Sequence, residues 1–177
     1  MSSPSDRRIA VIGMGNPLMS DEGIGVRVVA RLQETPLAAT VDVLDMGTSG
    51  MGVLHELEGR DRAVFVDCAV MGAAPGTIRR FTPDEVVSRK VQARLSLHEG
   101  DLLSVLALAR RLGTCPDEVV IFGIEPEVVD FGDQLSPELS DELDTYVATI
   151  DAEVRSLMGR GSASAVRSPG AAPGGRM

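Results

Sequence analysis

With 177 residues the chain suits one domain of ordinary size and is long enough to bury a full core without staples. Its 17 Lys and Arg against 26 Asp and Glu leave a net charge of −9, which argues against nucleic acid or an anionic membrane surface as partner. Residues 1–8 lack an apolar h-region and no apolar run approaches the ~20 residues that span a bilayer, so the expected location is cytoplasmic, without membrane insertion.

The first informative stretch is Val11-Ile12-Gly13-Met14-Gly15-Asn16-Pro17-Leu18-Met19-Ser20-Asp21-Glu22-Gly23-Ile24-Gly25. It reads as a buried strand, a glycine turn and a helix whose first turn carries two adjacent carboxylates. Glu22 then stands at the carboxyl end of the first strand, where open α/β sheets gather ligands. Asp21 is expected to complement the helix macrodipole, with Ser20 or Asp21 as N-cap. Gly13-x-Gly15 also matches part of a dinucleotide fingerprint. Leu18 occupies the place of its third glycine, however, and Asp45 lies 30 residues past Gly15 instead of about 20.

The first helix should run to about Gln33, with Ile24, Val28, Val29 and Leu32 inward, and stop at Pro36. Residues 41–45 form a second strand ending at the loop Met46-Gly47-Thr48-Ser49-Gly50, followed by a short helix whose His55 is solvated or capping. Residues 62–70 are aliphatic almost throughout, as in a central parallel strand, except for Asp67. A carboxylate there is costly unless it finds a partner, and its place mirrors that of Glu22, so a functional role is expected. Cys68 beside it reads as a small core residue; with Cys115 it has no CxxC spacing, which suggests neither disulfide nor thiolate zinc site.

Residues 76–81 form a strand reached by too short a connection for a helical crossover, hence an antiparallel edge strand. Ser96 followed by Glu99 reads as a capping box, which places His98 in the first turn of a helix closing at Gly113. The macrodipole there favours a neutral imidazole, suited to ligation or to acting as a base. Residues 118–123 form a further strand, and Ser136-Pro137 starts a final helix with Leu139, Leu143, Val147, Ile150, Val154 and Leu157 on one face. From Gly159 onward, composition marks a disordered tail.

Together these elements make a single-domain α/β three-layer sandwich over residues 9–158: a mostly parallel twisted sheet of about five strands, one antiparallel at the edge, with helices on both faces. A flexible segment (1–8) precedes it and the tail (159–177) follows. Glu22, Asp67 and His98 would meet at one edge as an open, borderline ligand set suited to nickel or zinc.

Several pieces in order resemble the hydrogenase maturation endopeptidases, which clip a carboxy-terminal extension from the large subunit of nickel-iron hydrogenases. They are Gly13-x-Gly15-Asn16-x-Leu18-x-x-Asp21-Glu22-x-Ile24-Gly25-Val26, Asp45-x-Gly47-Thr48-x-Gly50, Asp67 with Ala69, Pro75-Gly76-Thr77, Ser96-x-His98 and Gly123-Ile124-x-Pro126. The resemblance implies that Glu22, Asp67 and His98 contact metal, that Asp67 or Glu22 is the general base of an aspartic-type hydrolysis, and that Asp45, Gly47, Thr48 and Gly50 recognise substrate. It further implies no permanent cofactor: nickel arrives with the hydrogenase large-subunit precursor, and zinc or cadmium can take its place in vitro. A monomer is expected. Met46 departs from the family loop, which has glycine there. The alternative of another class is a non-catalytic metal- or dinucleotide-binding module.

Overall fold

The computed structural model describes residues 8–91, 96–97 and 101–164. Strand β1 (Ile9–Met14) leads through a 3₁₀ turn at Ser20–Gly23 into α1 (Ile24–Gln33), and a second such turn (Pro36–Ala39) leads to β2 (Asp42–Gly47) and α2 (Gly50–Leu57). Then come β3 (Arg62–Val70), β4 (Ile78–Phe81), α3 (Pro83–Val91), the two-residue β5 (Ser96–Leu97), α4 (Asp101–Leu112) and β6 (Glu118–Ile124). A single turn, α5 (Pro137–Ser140), precedes the long α6 (Leu143–Ser164).

The sheet runs β2-β1-β3-β6-β4, with β5 attached to the end of β3. β1, β2, β3 and β6 are mutually parallel, and β4 lies antiparallel on β6 at the edge, as the short 71–77 connection requires. Side chains alternate between two cores. Ile9, Val11, Val64 and Val66 pack with Val28 and Leu32 of α1 and with Ile150 and Val154 of α6. Ala10, Ile12, Ala63 and Phe65 pack instead with Val53 and Leu57 of α2 and with Leu102 and Leu106 of α4. The expected three layers are therefore present, with β3 and β1 shielded on both faces.

Three local expectations are corrected. Ser96 does not cap a helix: Ser96 and Leu97 pair as a strand with Val70 and Ala69. Strand pairing with β3 has overridden a local capping signal. The helix begun at Pro137 stops after one turn and resumes at Leu143. Its backbone then continues to Ser164, past the Gly159 at which the tail was expected to begin. Residues 1–7 and 165–177 lie outside the described part. Among the described residues no helix is long and apolar enough to cross a membrane.

What positions α1 is bare backbone. A Cβ on Gly25 would come within 2.2 Å of the Val66 carbonyl oxygen and 2.3 Å of that of Met14, and one on Gly13 within 2.4 Å of the Gly25 carbonyl oxygen. The first turn of α1 can therefore rest directly on β1 and β3, carrying the Ser20–Gly23 turn down with it. Gly25→Ala is expected to lower the unfolding free energy by about 3 kcal/mol, because the clash is with rigid carbonyls. Gly159→Ala, with nothing near its Cβ on an exposed helix face, should raise it by about 0.5–1 kcal/mol. Urea denaturation of both variants checks the contrast.

Candidate active site

The parallel strands bring their carboxyl ends to one edge, and the buried acids of the chain gather there. Glu22, in the turn after β1, is 3% exposed and Asp67, near the end of β3, is 2% exposed. Burial pushes the Asp67 carboxyl up from its ordinary 3.8 to about 7; the Cys68 N–H opposes this, and the negative charge of Glu22 adds to it. The two carboxylates therefore feel each other. Among the described residues Asp67 accepts only the Cys68 N–H, at 2.8 Å, so its buried charge is poorly compensated.

Two other buried acids at this edge have a different environment. The Oε2 of Glu125, just beyond β6, accepts the N–H groups of Met71 (2.6 Å) and Ala73 (3.2 Å), fixing the loop that leaves β3. The phenol of Tyr146 donates to the Gly76 carbonyl at 2.7 Å and pins the far end of that loop. Asp21 does not cap or merely flank a helix. It is fully buried, its Oδ1 accepting Ser136 N (2.7 Å) and its Oδ2 accepting Glu127 N (2.9 Å), Val128 N (2.9 Å) and the Ser136 hydroxyl (2.8 Å). Ser136 stands at the N-cap of α5, as expected, but its hydroxyl serves Asp21 instead of the helix.

The loop after β2 joins the same edge. Gly47, at φ +49°, accepts the Gly15 N–H at 2.9 Å through its carbonyl, and Asp45 Oδ1 accepts the Gly47 N–H at 3.0 Å. Asp45 and Thr48 are exposed, while Ser49 caps α2 by accepting the Gly52 N–H and Gly50 opens that helix. Met46 turns its terminal methyl over Gly52 and packs against the α2 and α4 core, so the loop tolerates it by burying the side chain away from the edge. Asp45, engaged in its own turn, and Leu18, 63% exposed, do not build a dinucleotide cradle.

His98 lies outside the described residues. The pairing of Leu97 with Ala69 and Ser96 with Val70 brings the chain alongside the end of β3 immediately before it. Among the described residues no group of three His, Cys, Asp or Glu side chains converges on a metal position; Glu22 and Asp67, two of the three expected ligands, are close enough for the charge of one to act on the other.

The family model for hydrogenase maturation protease matches residues 26–153. The hydrogenase expression/formation protein HupD of Rhodobacter capsulatus is 36% identical over 150 residues, covering 84% of this chain and 71% of that protein. The chain belongs to the hydrogenase maturation protease family. The hydrogenase 2 maturation protease of Escherichia coli (strain K12) is 33% identical over 150 residues, covering 84% of this chain and 91% of its own. The solved hydrogenase maturating endopeptidase HybD from E. coli superposes with a TM-score of 0.72 at 28% identity, covering 84% of this chain and 93% of that one. Membership sets aside the binding-module alternative.

In this hydrogenase maturation protease Cys68 is no nucleophile: burial, and then the charge of Asp67, push its thiol up, so it stays protonated in the core. The Asp21 clamp and the Glu125 anchor were not foreseen as such. For Glu125 an acid directly after an apolar strand was the available signal. Asp21→Ala, which strands four donors, is expected to cost about 3 kcal/mol or more and to speed limited proteolysis within 126–136, with Asp21→Asn intermediate.

For Asp67 the proton balance gives a pH-dependent stability. Below about 3.8 the carboxyl is neutral in both folded and unfolded chains; between there and about 7 only the folded chain keeps the proton, so stability falls as pH rises and levels off above that range. Asp67→Asn, neutral throughout, should therefore raise the melting temperature at pH 8 relative to the parent and lose most of that advantage at pH 4, as thermal scans at the two pH values will read.

Proposed function

We propose that the protein is the endopeptidase that removes the carboxy-terminal extension of a nickel-loaded hydrogenase large-subunit precursor. The observation that carries the reading is the pair Glu22 and Asp67: two carboxylates buried together at the sheet edge, one of them holding its proton to about pH 7. An incoming divalent cation resolves that strain. It places positive charge beside the two carboxyl groups and releases the Asp67 proton, so the site prefers a precursor that brings metal to one that does not. His98 completes an open set of ligands in this proposal, and the nickel remains the substrate's own, with no permanent cofactor in the protease.

The hydrolysis is of the aspartic type. A general base works best when its pKa lies near the operating pH, which favours Asp67. Ionised Asp67 takes a proton from a water molecule as the water oxygen bonds to the scissile carbonyl carbon. The C–N bond then breaks, and the proton passes to the leaving amine. Glu22 holds the negative field that keeps Asp67 basic and contributes oxygen to the metal. Asp45, Gly47, Thr48 and Gly50, joined to the end of β1 through Gly15, form the recognition loop beside this pair. Such a protease acts in the cytoplasm, as a monomer, on a folded precursor.

Purified precursor, mixed with the protease with and without nickel and followed by the mass of the released peptide, tests this. Cleavage is expected only with nickel, and is lost in Asp67→Asn and in His98→Ala. Cleavage indifferent to nickel, or surviving both substitutions together, would refute the mechanism.

A further inference from the structure

The Asp21 clamp holds together the loops that follow β1 and β6, strands separated in the sheet by β3, and between them these loops expose an apolar surface. Gly132 N donates to the Leu18 carbonyl (3.0 Å) and Ser20 N to the Gly132 carbonyl (2.8 Å), a short parallel bridge of Met19 with Gly132. The Ser20 hydroxyl donates to the Asp130 carbonyl and Asp21 N to that of Val128. A segment tied down so often is rigid, yet Phe131 is 87% exposed, Leu18 63%, and Val128 and Val129 about half. In the parallel bridge Leu18 and Phe131 are neighbouring positions on the same side of the backbone. Rigid, preorganised apolar side chains around an aromatic are what a docking surface requires.

The border of the patch selects its occupant. Glu127, Asp130 and Asp133 are exposed around Phe131, and against these three carboxylates stands Arg27, which donates to the Asp133 carbonyl at 2.5 Å, so the border keeps a net negative charge. A second copy of this chain would set the same acidic border against itself, and an anionic lipid surface would be repelled. We propose that Leu18, Val128, Val129 and Phe131 dock an apolar segment of the hydrogenase precursor flanked by Lys or Arg, and so lead the adjoining peptide to Glu22 and Asp67. The inference rests on the protease reading above and adds to it a second, non-catalytic contact. Because Leu18 is joined to Glu22 through the Ser20–Gly23 turn, a partner seated on the patch lies at the edge of the carboxylate pair.

The test uses the full chain and two variants, Leu18→Ser/Phe131→Ser and Glu127→Lys/Asp133→Lys. Binding of nickel-loaded precursor is measured by calorimetry in an Asp67→Asn background, where nothing is cleaved; KM and kcat are measured with Asp67 intact, and melting temperature controls for folding. The apolar variant should raise Kd and KM about tenfold or more with kcat within about twofold and an unchanged melting temperature. The charge variant should weaken binding less and flatten its dependence on salt. Unchanged Kd and KM in both variants, while the parent cleaves normally, overturns the docking surface and leaves the protease reading intact. A parent that neither binds nor cleaves the precursor overturns both. Sedimentation showing a parent dimer that the apolar variant dissolves assigns the patch to self-association and likewise overturns the proposal.

Discussion

The contact of α1 with the ends of β1 and β3 is made through glycine, and the rest of the edge depends on it. At Gly13 and Gly25 backbone meets backbone, and at Gly15, with φ +123°, a Cβ would come within 2.0 Å of the Glu22 carbonyl oxygen. Any side chain at these positions would lift the helix and take the preceding turn with it. Seated as it is, the turn puts Glu22 into the water-poor corner where β3 ends, and Asp67 keeps its proton there, through its own burial first and the charge of Glu22 second. A packing constraint thus becomes an electrostatic one.

The buried acids of this edge divide by how their oxygens are satisfied. Asp21 and Glu125 accept several backbone N–H groups each, an arrangement that makes a buried carboxylate a structural fastener. Asp67 accepts a single N–H among the described residues and faces another carboxylate. Adjacent residues can therefore have opposite roles: Asp21 ties the 126–136 loop to the core, while Glu22 faces Asp67. The fastener serves the site, since it holds in place the loop that borders it.

Around this pair the fold assembles loops from three parallel strands. The β2 loop is drawn in by the bond from Gly15 to Gly47, the β6 loop by Asp21, and the β3 loop by Glu125 and Tyr146. Rigid strands set the carboxylates while the loops vary the surface, the usual division of labour in α/β proteins. The match to the family model, over residues 26–153, takes in the β2, β3 and β6 loops, and Met46 shows how a departure is absorbed: its side chain joins the core of α2 and α4.

Much of this was legible along the chain because the signals are local. Pro36 and the spacing of Ile24, Val28, Val29 and Leu32 bound α1, and the unbroken aliphatic run of β3 makes Asp67 conspicuous by its charge. The short link before β4 gave its antiparallel direction, and motif order gave the family. Other features needed tertiary contacts. Asp21 finds its donors 106 to 115 residues away, so no local rule distinguishes it from an ordinary first-turn acid. Ser96 looks like a cap until β3 offers it a strand partner, and α6 runs past Gly159, with Arg160 pairing Glu118 of β6 and Glu153. Sequence alone determined which side chains are chemically unusual, since an acid within an apolar strand is costly wherever the strand lies. Only the folded chain decided which of those acids become fasteners and that Asp67 keeps its proton, because the donors come from distant segments and burial is set by the packing.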